Sequence, residues 1–289
     1  MLDSAGVPFE FLISTRAFMT WELALNLDMD KYSALVGVGG DGTYHEVTNG
    51  MLHRADKRRL PLAFIPNGSG NDTLRPLGVT NLAKSLDYII KGDLLKVDLT
   101  RCLIDADTED EIPEDEKFKR LRYVLLNTCI GLPSRVNYEA RHFKWCCCNA
   151  YQIAAVKEIM NLKYERVDIY QGEKLVVEDL ETCFLMSMNG KACGNNMLIN
   201  PMGVINDGQI ETCFVEGKKK AGQMIDMMDK SIKHGGIHAY DPTVMTLRGK
   251  NFKYVMKRGK MGDPKKDKHI LAMDGENILF DNFIRLDAV

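Results

Sequence analysis

The chain has 289 residues, of which 45% are hydrophobic and 27% charged, and its formal net charge is −2. This is enough chain for one large domain or two small ones with a buried core, and the balance excludes a disordered polymer. Near-neutral charge gives no global attraction to nucleic acid or to an acidic membrane, and no apolar run approaches the roughly 20 residues of a membrane span.

The first hundred residues alternate strand and helix patterns. Residues 9–13 are apolar and predict a strand, and no basic flank precedes them to make the start a secretory signal. Thr15 is placed to cap a helix carrying Phe18, Trp21 and Leu25 at helical spacing. Residues 35–38 predict a buried strand ending in GVGGDGT, followed by a helix over 44–55 with Val47, Met51 and Leu52 inward. The next strand, 60–65, is closed by Pro66 and the turn-rich NGSGND. Thr80 is expected to cap a helix with Leu82, Leu86, Ile89 and Ile90 on one face, and Gly92 to stop it. Alternation of this kind predicts a parallel sheet covered by helices.

From about residue 95 the pattern changes. Short alternating runs at 94–99, 123–128, 166–170, 183–188, 209–214, 244–247, 252–256 and 270–273 predict an antiparallel β-rich domain, with helices near 149–162 and 221–234. An α/β domain is therefore expected over 1–95 and a β-rich domain over 96–289. The acidic stretch 105–116 and the basic stretch 257–268 read as exposed loops. The eight cysteines, Cys102, Cys129, Cys146, Cys147, Cys148, Cys183, Cys193 and Cys213, contain no C-x-x-C pair. They read as reduced small hydrophobes of a cytosolic protein, with acylation of 146–148 as the alternative.

The strongest signal is Gly39-Gly40-Asp41-Gly42-Thr43 between a strand and a helix. Glycines let backbone N–H groups approach a ligand, and the helix start adds partial positive charge, so the loop suits phosphate oxygens. The spelling also fits G-x-G-x-x-G, but Asp41 would repel a pyrophosphate, and no ribose-binding acid follows about 20 residues on. A carboxylate inside the cradle makes better sense with Mg-ATP, or as a base for an attacking hydroxyl. The sequence holds no G-x-x-x-x-G-K-[ST], so it is not a P-loop enzyme. A second loop, Asn67-Gly68-Ser69-Gly70-Asn71-Asp72, follows the next strand, where two loops could wrap one triphosphate.

GVGGDGTYHEVTNGMLHR followed by IPNGSGNDTLRPLGV resembles the diacylglycerol kinase catalytic domain, whose family includes sphingosine and ceramide kinases and bacterial lipid kinases. NTCIGLPSRVNYEA, FLMSMNGKACGNNMLINPMGVINDGQIETCFV and ILAMDGE are similar to later family segments, in family order over nearly the whole chain. The resemblance implies a Rossmann-like, phosphofructokinase-like α/β nucleotide domain and an antiparallel β-sandwich domain, with ATP and a lipid meeting between them.

By position, the resemblance makes Gly39, Gly40, Asp41, Gly42 and Thr43 holders of the ATP phosphates, with Glu46 touching the nucleotide. Thr15, Gly68, Ser69, Gly70, Asn71 and Asp72 add contacts. Asp41 corresponds to the base of sphingosine-kinase-like members. Asp274, Gly275 and Glu276 correspond to the late acidic motif from which bacterial members draw theirs. Asp207, helped by carbonyls of Val204 and Gln209, matches a structural magnesium ligand. For Asp274 and for Asp207-Gly208, turns that favour Asp-Gly are the competing reading.

Where sphingosine kinases place a pocket acid, this sequence has Asn137, with Arg135 close by, which implies a neutral acceptor such as diacylglycerol or a ceramide-like lipid. The expected partner is lipid at a membrane surface, met by a cytoplasmic, peripheral protein, with no nucleic acid and no transmembrane segment. Lys218, Lys219, Lys220 and the stretch 257–268 are candidate basic rims. The family opens with a strand ending in Asn-Pro-x-x-Gly, which has no counterpart here, so roughly one strand and one helix are expected before Val7. Two alternatives follow: an NAD kinase, whose family shares GGDGT, and an inactive nucleotide- or lipid-binding fragment.

Overall fold

The computed structural model describes residues 1–68, 70–143, 150–194, 196–257 and 268–289. They fall into two compact units, Met1–Val97 and Asp98–Val289. The cysteines at 146–148 and most of the basic stretch, 258–267, lie outside the described residues.

The first unit contains α1 (Met19–Leu25), β1 (Leu35–Gly39), α2 (Asp41–Leu52), β2 (Leu62–Pro66) and α3 (Leu82–Lys91). β1 and β2 run parallel, with Leu35 opposite Leu62 and Gly39 opposite Pro66. Both strands therefore end at one level, and the loops that follow them emerge side by side. α2 buries Tyr44, Val47 and Met51. α1 lies so close on it that a Cβ at Gly50 would sit 2.2 Å from the Trp21 carbonyl oxygen.

Four local expectations change, one being the run 94–99, which forms no strand and leaves Leu94 and Leu95 exposed. Residues 9–13 form no strand, and Phe11 and Ile13 are 77% and 75% exposed. Apolar sequence makes a strand only where a neighbour supplies a ladder, and no described strand does so here. Thr15 does not cap α1: the helix starts after Phe18, which adopts left-handed φ of 60°, while the Thr15 N–H lies 3.2 Å from Met19 Sδ. Thr15 stands too far ahead of the first turn to reach its orphan donors. α3 is capped by Asn81, whose Oδ1 accepts the Lys84 N–H at 2.9 Å, rather than by Thr80. Gly92 ends it in the left-handed region, as its sequence position suggests.

The second unit runs β3 (Thr100–Ile104), α4 (Lys117–Arg120), β4 (Leu121–Val124), β5 (Asn127–Gly131), α5 (Leu132–Ala140), α6 (Ala150–Met160), β6 (Glu165–Gln171), β7 (Lys174–Thr182), β8 (Phe184–Met188), β9 (Ile210–Val215), α7 (Ala221–Lys233), β10 (Val244–Gly249), β11 (Asn251–Met256), β12 (His269–Met273), β13 (Glu276–Phe280) and β14 (Phe283–Ala288). Two six-stranded antiparallel sheets form, ordered β10-β9-β8-β5-β12-β13 and β4-β3-β14-β11-β6-β7. Ile130, Leu185, Phe214 and Leu271 of the first sheet share one core with Val167, Phe252, Tyr254 and Ile284 of the second. Alternate residues point to opposite faces, so Cys129, Met186 and Cys213 enter a second core with Met224 and Met227 of α7. The first sheet is thus buried on both faces, which explains the uninterrupted burial of β9.

Within the core the Tyr254 hydroxyl lies 2.5 Å from Ser187 Oγ and 2.6 Å from Thr212 Oγ1, so the polar atoms that sandwich packing buries are satisfied by one another. Cys102, Cys129, Cys183, Cys193 and Cys213 are buried and unbridged. The acidic stretch after β3 forms the β3–β4 connection, but Ile112 and Ala106 are buried, and Asp105 accepts the N–H of Asp281 and Phe283. It is therefore a packed loop and not a fully solvated one.

Candidate active site

The GGDGT loop closes into the start of α2. Gly40 occupies the position before the first turn, and the N–H groups of the first helical residues have no intrahelical acceptor by the geometry of a helix. Gly39, Asp41, Gly42 and Thr43 flank that end. The second loop lies directly against it. A Cβ on Gly68 would stand 2.5 Å from Gly40 Cα, and one on Gly40 would stand 3.1 Å from Gly68 Cα. Only two glycines allow the main chains to come this near. The Asn67 N–H donates to the Gly39 carbonyl at 2.7 Å.

Asp41 joins the loops more firmly. Its carboxylate accepts the Thr73 N–H at 3.0 Å and the Asp72 N–H at 3.3 Å. A Cβ on Gly70 would sit 3.2 Å from Asp41 Oδ2, so a larger residue would press on the carboxylate. Asn71, in the left-handed region, closes the second loop on itself: its amide donates to the Gly68 carbonyl at 2.7 Å and its oxygen accepts the Gly68 N–H at 3.1 Å. The Tyr44 hydroxyl donates to the Gly39 carbonyl at 2.6 Å and lies 3.2 Å from Asn71 Oδ1. Burial and the nearby Asp41 charge push this phenol up to about 12, which keeps it protonated as a donor. Sequence reading missed Tyr44. Its signal was a tyrosine in the first turn of a helix that opens on a glycine loop.

Two of the remaining expected nucleotide contacts, Glu46 and Thr15, engage the start of α1. The Glu46 carboxylate accepts the Phe18 N–H at 3.2 Å and the Thr20 hydroxyl, so it ties α2 to the start of α1. Thr15 is exposed beside Met19. Asp72 pairs with Arg75 at 3.1 Å. Ser69 lies outside the described residues.

In the second unit the β12–β13 turn carries Asp274 and Gly275, both at positive φ, and is followed by Glu276. Asp274 is 3% exposed, and its carboxylate accepts the N–H of Leu125 and Leu126 at 2.8 Å and of Asn127 at 3.2 Å. Leu125 and Leu126 thus bond to Asp274 between the two strands, and the predicted run 123–128 divides into β4 and β5 in different sheets. Glu276 is partly exposed, with Arg141 Nη2 at 3.7 Å.

The two residues expected to meet the acceptor are engaged internally. Arg135 is buried in α5. It donates from Nε to Glu158 at 3.1 Å and from Nη2 to the Lys163 carbonyl at 2.9 Å, with Glu165 at 3.6 Å. Asn137 donates to the Gly275 carbonyl at 2.7 Å and to Asn277 Oδ1, and accepts from the Tyr151 hydroxyl at 3.1 Å.

A magnesium ion held by Asp207 does not fit. The Arg248 guanidinium already neutralises that carboxylate, which also accepts the Gln209 N–H at 3.1 Å. Among the described residues no group of three or more His, Cys, Asp or Glu could hold a metal ion. Burial and the Asp207 charge raise the neighbouring Glu211 carboxyl above its ordinary value. Of the expected basic rim, Lys218 lies 3.7 Å from Glu181, and Lys219 donates to the Glu216 carbonyl. No helix among the described residues is long and apolar enough to cross a membrane.

Comparison with known proteins adds ancestry to this geometry. Residues 1–102 match the diacylglycerol kinase catalytic domain, and residues 127–278 match the YegS C-terminal NAD kinase beta sandwich-like domain. Sphingosine kinase 2 of Arabidopsis thaliana is 24% identical over 96% of this chain and 63% of its own length. Diacylglycerol kinase of Staphylococcus saprophyticus is 26% identical over 76% of this chain and 67% of its own. The chain thus spans less than two thirds of the plant relative. In fold, a diacylglycerol kinase structure from Bacillus anthracis superposes with a TM-score of 0.67 at 18% identity, covering 99% of this chain and 84% of that one.

Proposed function

This chain belongs to the family that joins a diacylglycerol kinase catalytic domain to a YegS-type C-terminal β-sandwich, and on that premise we propose that it is an ATP-dependent lipid kinase. The observation that carries the reading is the contact between the two βα loops, Gly40 against Gly68 with Asp41 bonded to Asp72 and Thr73. Two glycine turns at one level of a parallel sheet present backbone N–H groups and a helix start to a single triphosphate.

Phosphoryl transfer asks for aligned phosphates, charge neutralisation and an acceptor oxygen in line. ATP arrives with magnesium as part of the nucleotide substrate, and this cation offsets the charge of Asp41 beside the phosphates. The lipid hydroxyl oxygen bonds to the γ-phosphorus, the bond to the β–γ bridging oxygen breaks, ADP leaves, and the hydroxyl proton passes to a carboxylate. Of the late acids, Glu276 suits that step better than Asp274. Asp274 is buried under three backbone donors, while Glu276 retains exposure. Asp41, with both oxygens bonded to the second loop, serves to hold the phosphate cradle in shape.

The test is phosphate transfer from γ-labelled ATP by the full chain to vesicles carrying diacylglycerol, ceramide or sphingosine, with NAD as a separate acceptor. Labelled phospholipid supports the reading. Label in NAD alone moves the chain to the other acceptor class, and label in neither leaves the inactive nucleotide- or lipid-binding alternative.

A further inference from the structure

We infer that Asn137 is a positioning residue: it clamps the β12–β13 turn next to Asp274 in sequence and so fixes where Glu276 points. This rests on the lipid kinase reading with Glu276 as the proton acceptor.

An asparagine amide has two N–H donors. Both donors of Asn137 are spent on the turn, one on the Gly275 carbonyl and one on Asn277 Oδ1, which brackets Glu276 between bonded neighbours. Asn277 returns a bond from its Nδ2 to the Ser134 carbonyl at 3.1 Å, so α5 and the turn are tied in both directions. Tyr151 of α6 donates to Asn137 Oδ1, which sets the amide orientation. Asn137 itself is 9% exposed. Asp274 separately anchors the same turn to the backbone at 125–127.

Gly275 and Glu276 are thus held by two sets of bonds, from segments far apart in sequence. A pre-set carboxylate raises the rate of the chemical step without adding to ground-state binding. An aspartate at position 137 would lose both donors and set a negative charge against the Gly275 carbonyl, so in this chain the amide serves the turn.

The experiment compares native chain, Asn137→Leu, Tyr151→Phe, Glu276→Gln and the Asn137→Leu/Glu276→Gln pair, with amide hydrogen exchange at 275–277 measured alongside. Asn137→Leu is expected to lower kcat about tenfold or more at saturating ATP and lipid, with both KM values within about twofold. Tyr151 is half exposed, so Tyr151→Phe keeps the fold and gives a smaller loss in the same direction. The paired variant should lose no more than Glu276→Gln alone, because both act through one carboxylate. Exchange at 275–277 should quicken in Asn137→Leu.

A raised lipid KM with unchanged kcat would make Asn137 a substrate contact and overturn the assignment, and so would additive losses. Native chain that labels no lipid sinks the kinase reading and the catalytic half of this inference together. Unchanged exchange sinks the clamp itself, whichever way the native assay falls.

Discussion

The Asp41 carboxylate, in the first turn of α2, accepts the Thr73 N–H at 3.0 Å and so ties the start of one βα unit to the loop that closes the next. Asp41→Asn keeps size but turns one oxygen into a donor facing the Asp72 or Thr73 N–H. The lost bond and the donor–donor conflict cost about 1–3 kcal/mol. The expected outcome is a lower unfolding midpoint together with weaker ATP binding by calorimetry. Nucleotide affinity equal to the native chain's would show that Asp41 does not organise the loops.

Gly68→Ala tests the close approach without changing any charge. Its Cβ would meet Gly40 Cα at 2.5 Å, and both partners are main chain, so one loop must move. Overpacking of this kind costs about 1–3 kcal/mol. Nucleotide binding should fall at least tenfold while the second unit unfolds as before. Unchanged binding would mean that the junction of the loops is not the phosphate site.

Asp274→Asn is expected to act first on stability. The side chain loses an acceptor for the backbone donors of Leu125 and Leu126, which lie outside the strands, a cost of about 1–3 kcal/mol. Denaturant unfolding should show a lower midpoint, and hydrogen exchange at Leu125 and Leu126 should quicken. A variant as stable as native, yet inactive, would restore Asp274 as the proton acceptor and remove Glu276 from that role.

His238 gives a pH test. It is buried, with Nε2 3.2 Å from the Ile199 carbonyl, and burial holds its pKa below the ordinary 6.5. The unfolded chain takes up the proton more readily than the folded one. Its stabilising contribution is therefore full above 6.5 and is lost as pH falls through the folded value. In His238→Gln, unfolding stability should decline less steeply between neutral pH and pH 5. Equal slopes in the two proteins would assign the acid sensitivity to other groups.

Much of the first unit was legible because its signals are local. A glycine loop that opens a helix, a run closed by proline and a glycine helix stop each act within a few residues, and GGDGT and GSGND followed neighbouring strands as expected. The failures were also local readings. Residues 9–13 and Thr15 carry the right residue types, but a strand needs a partner and a cap needs register with the first turn. Four strands of the second unit, β3, β7, β13 and β14, gave no clear pattern of their own. Their identity comes from the sheets they complete: β14 lies between β3 and β11, which are distant in sequence.

Sequence alone determined the ancestry, the alternation of the first unit, the β-rich character of the second and the residue types at the two phosphate loops. Tertiary structure decided what those side chains are free to do. Hydrogen-bonding capacity is finite, and partners from distant segments consume it: Asn137 by Gly275 and Asn277, Arg135 by Glu158, Asp274 by the backbone at 125–127, Asp207 by Arg248. No pattern of neighbours along the chain reveals that a donor or an acceptor is already spent.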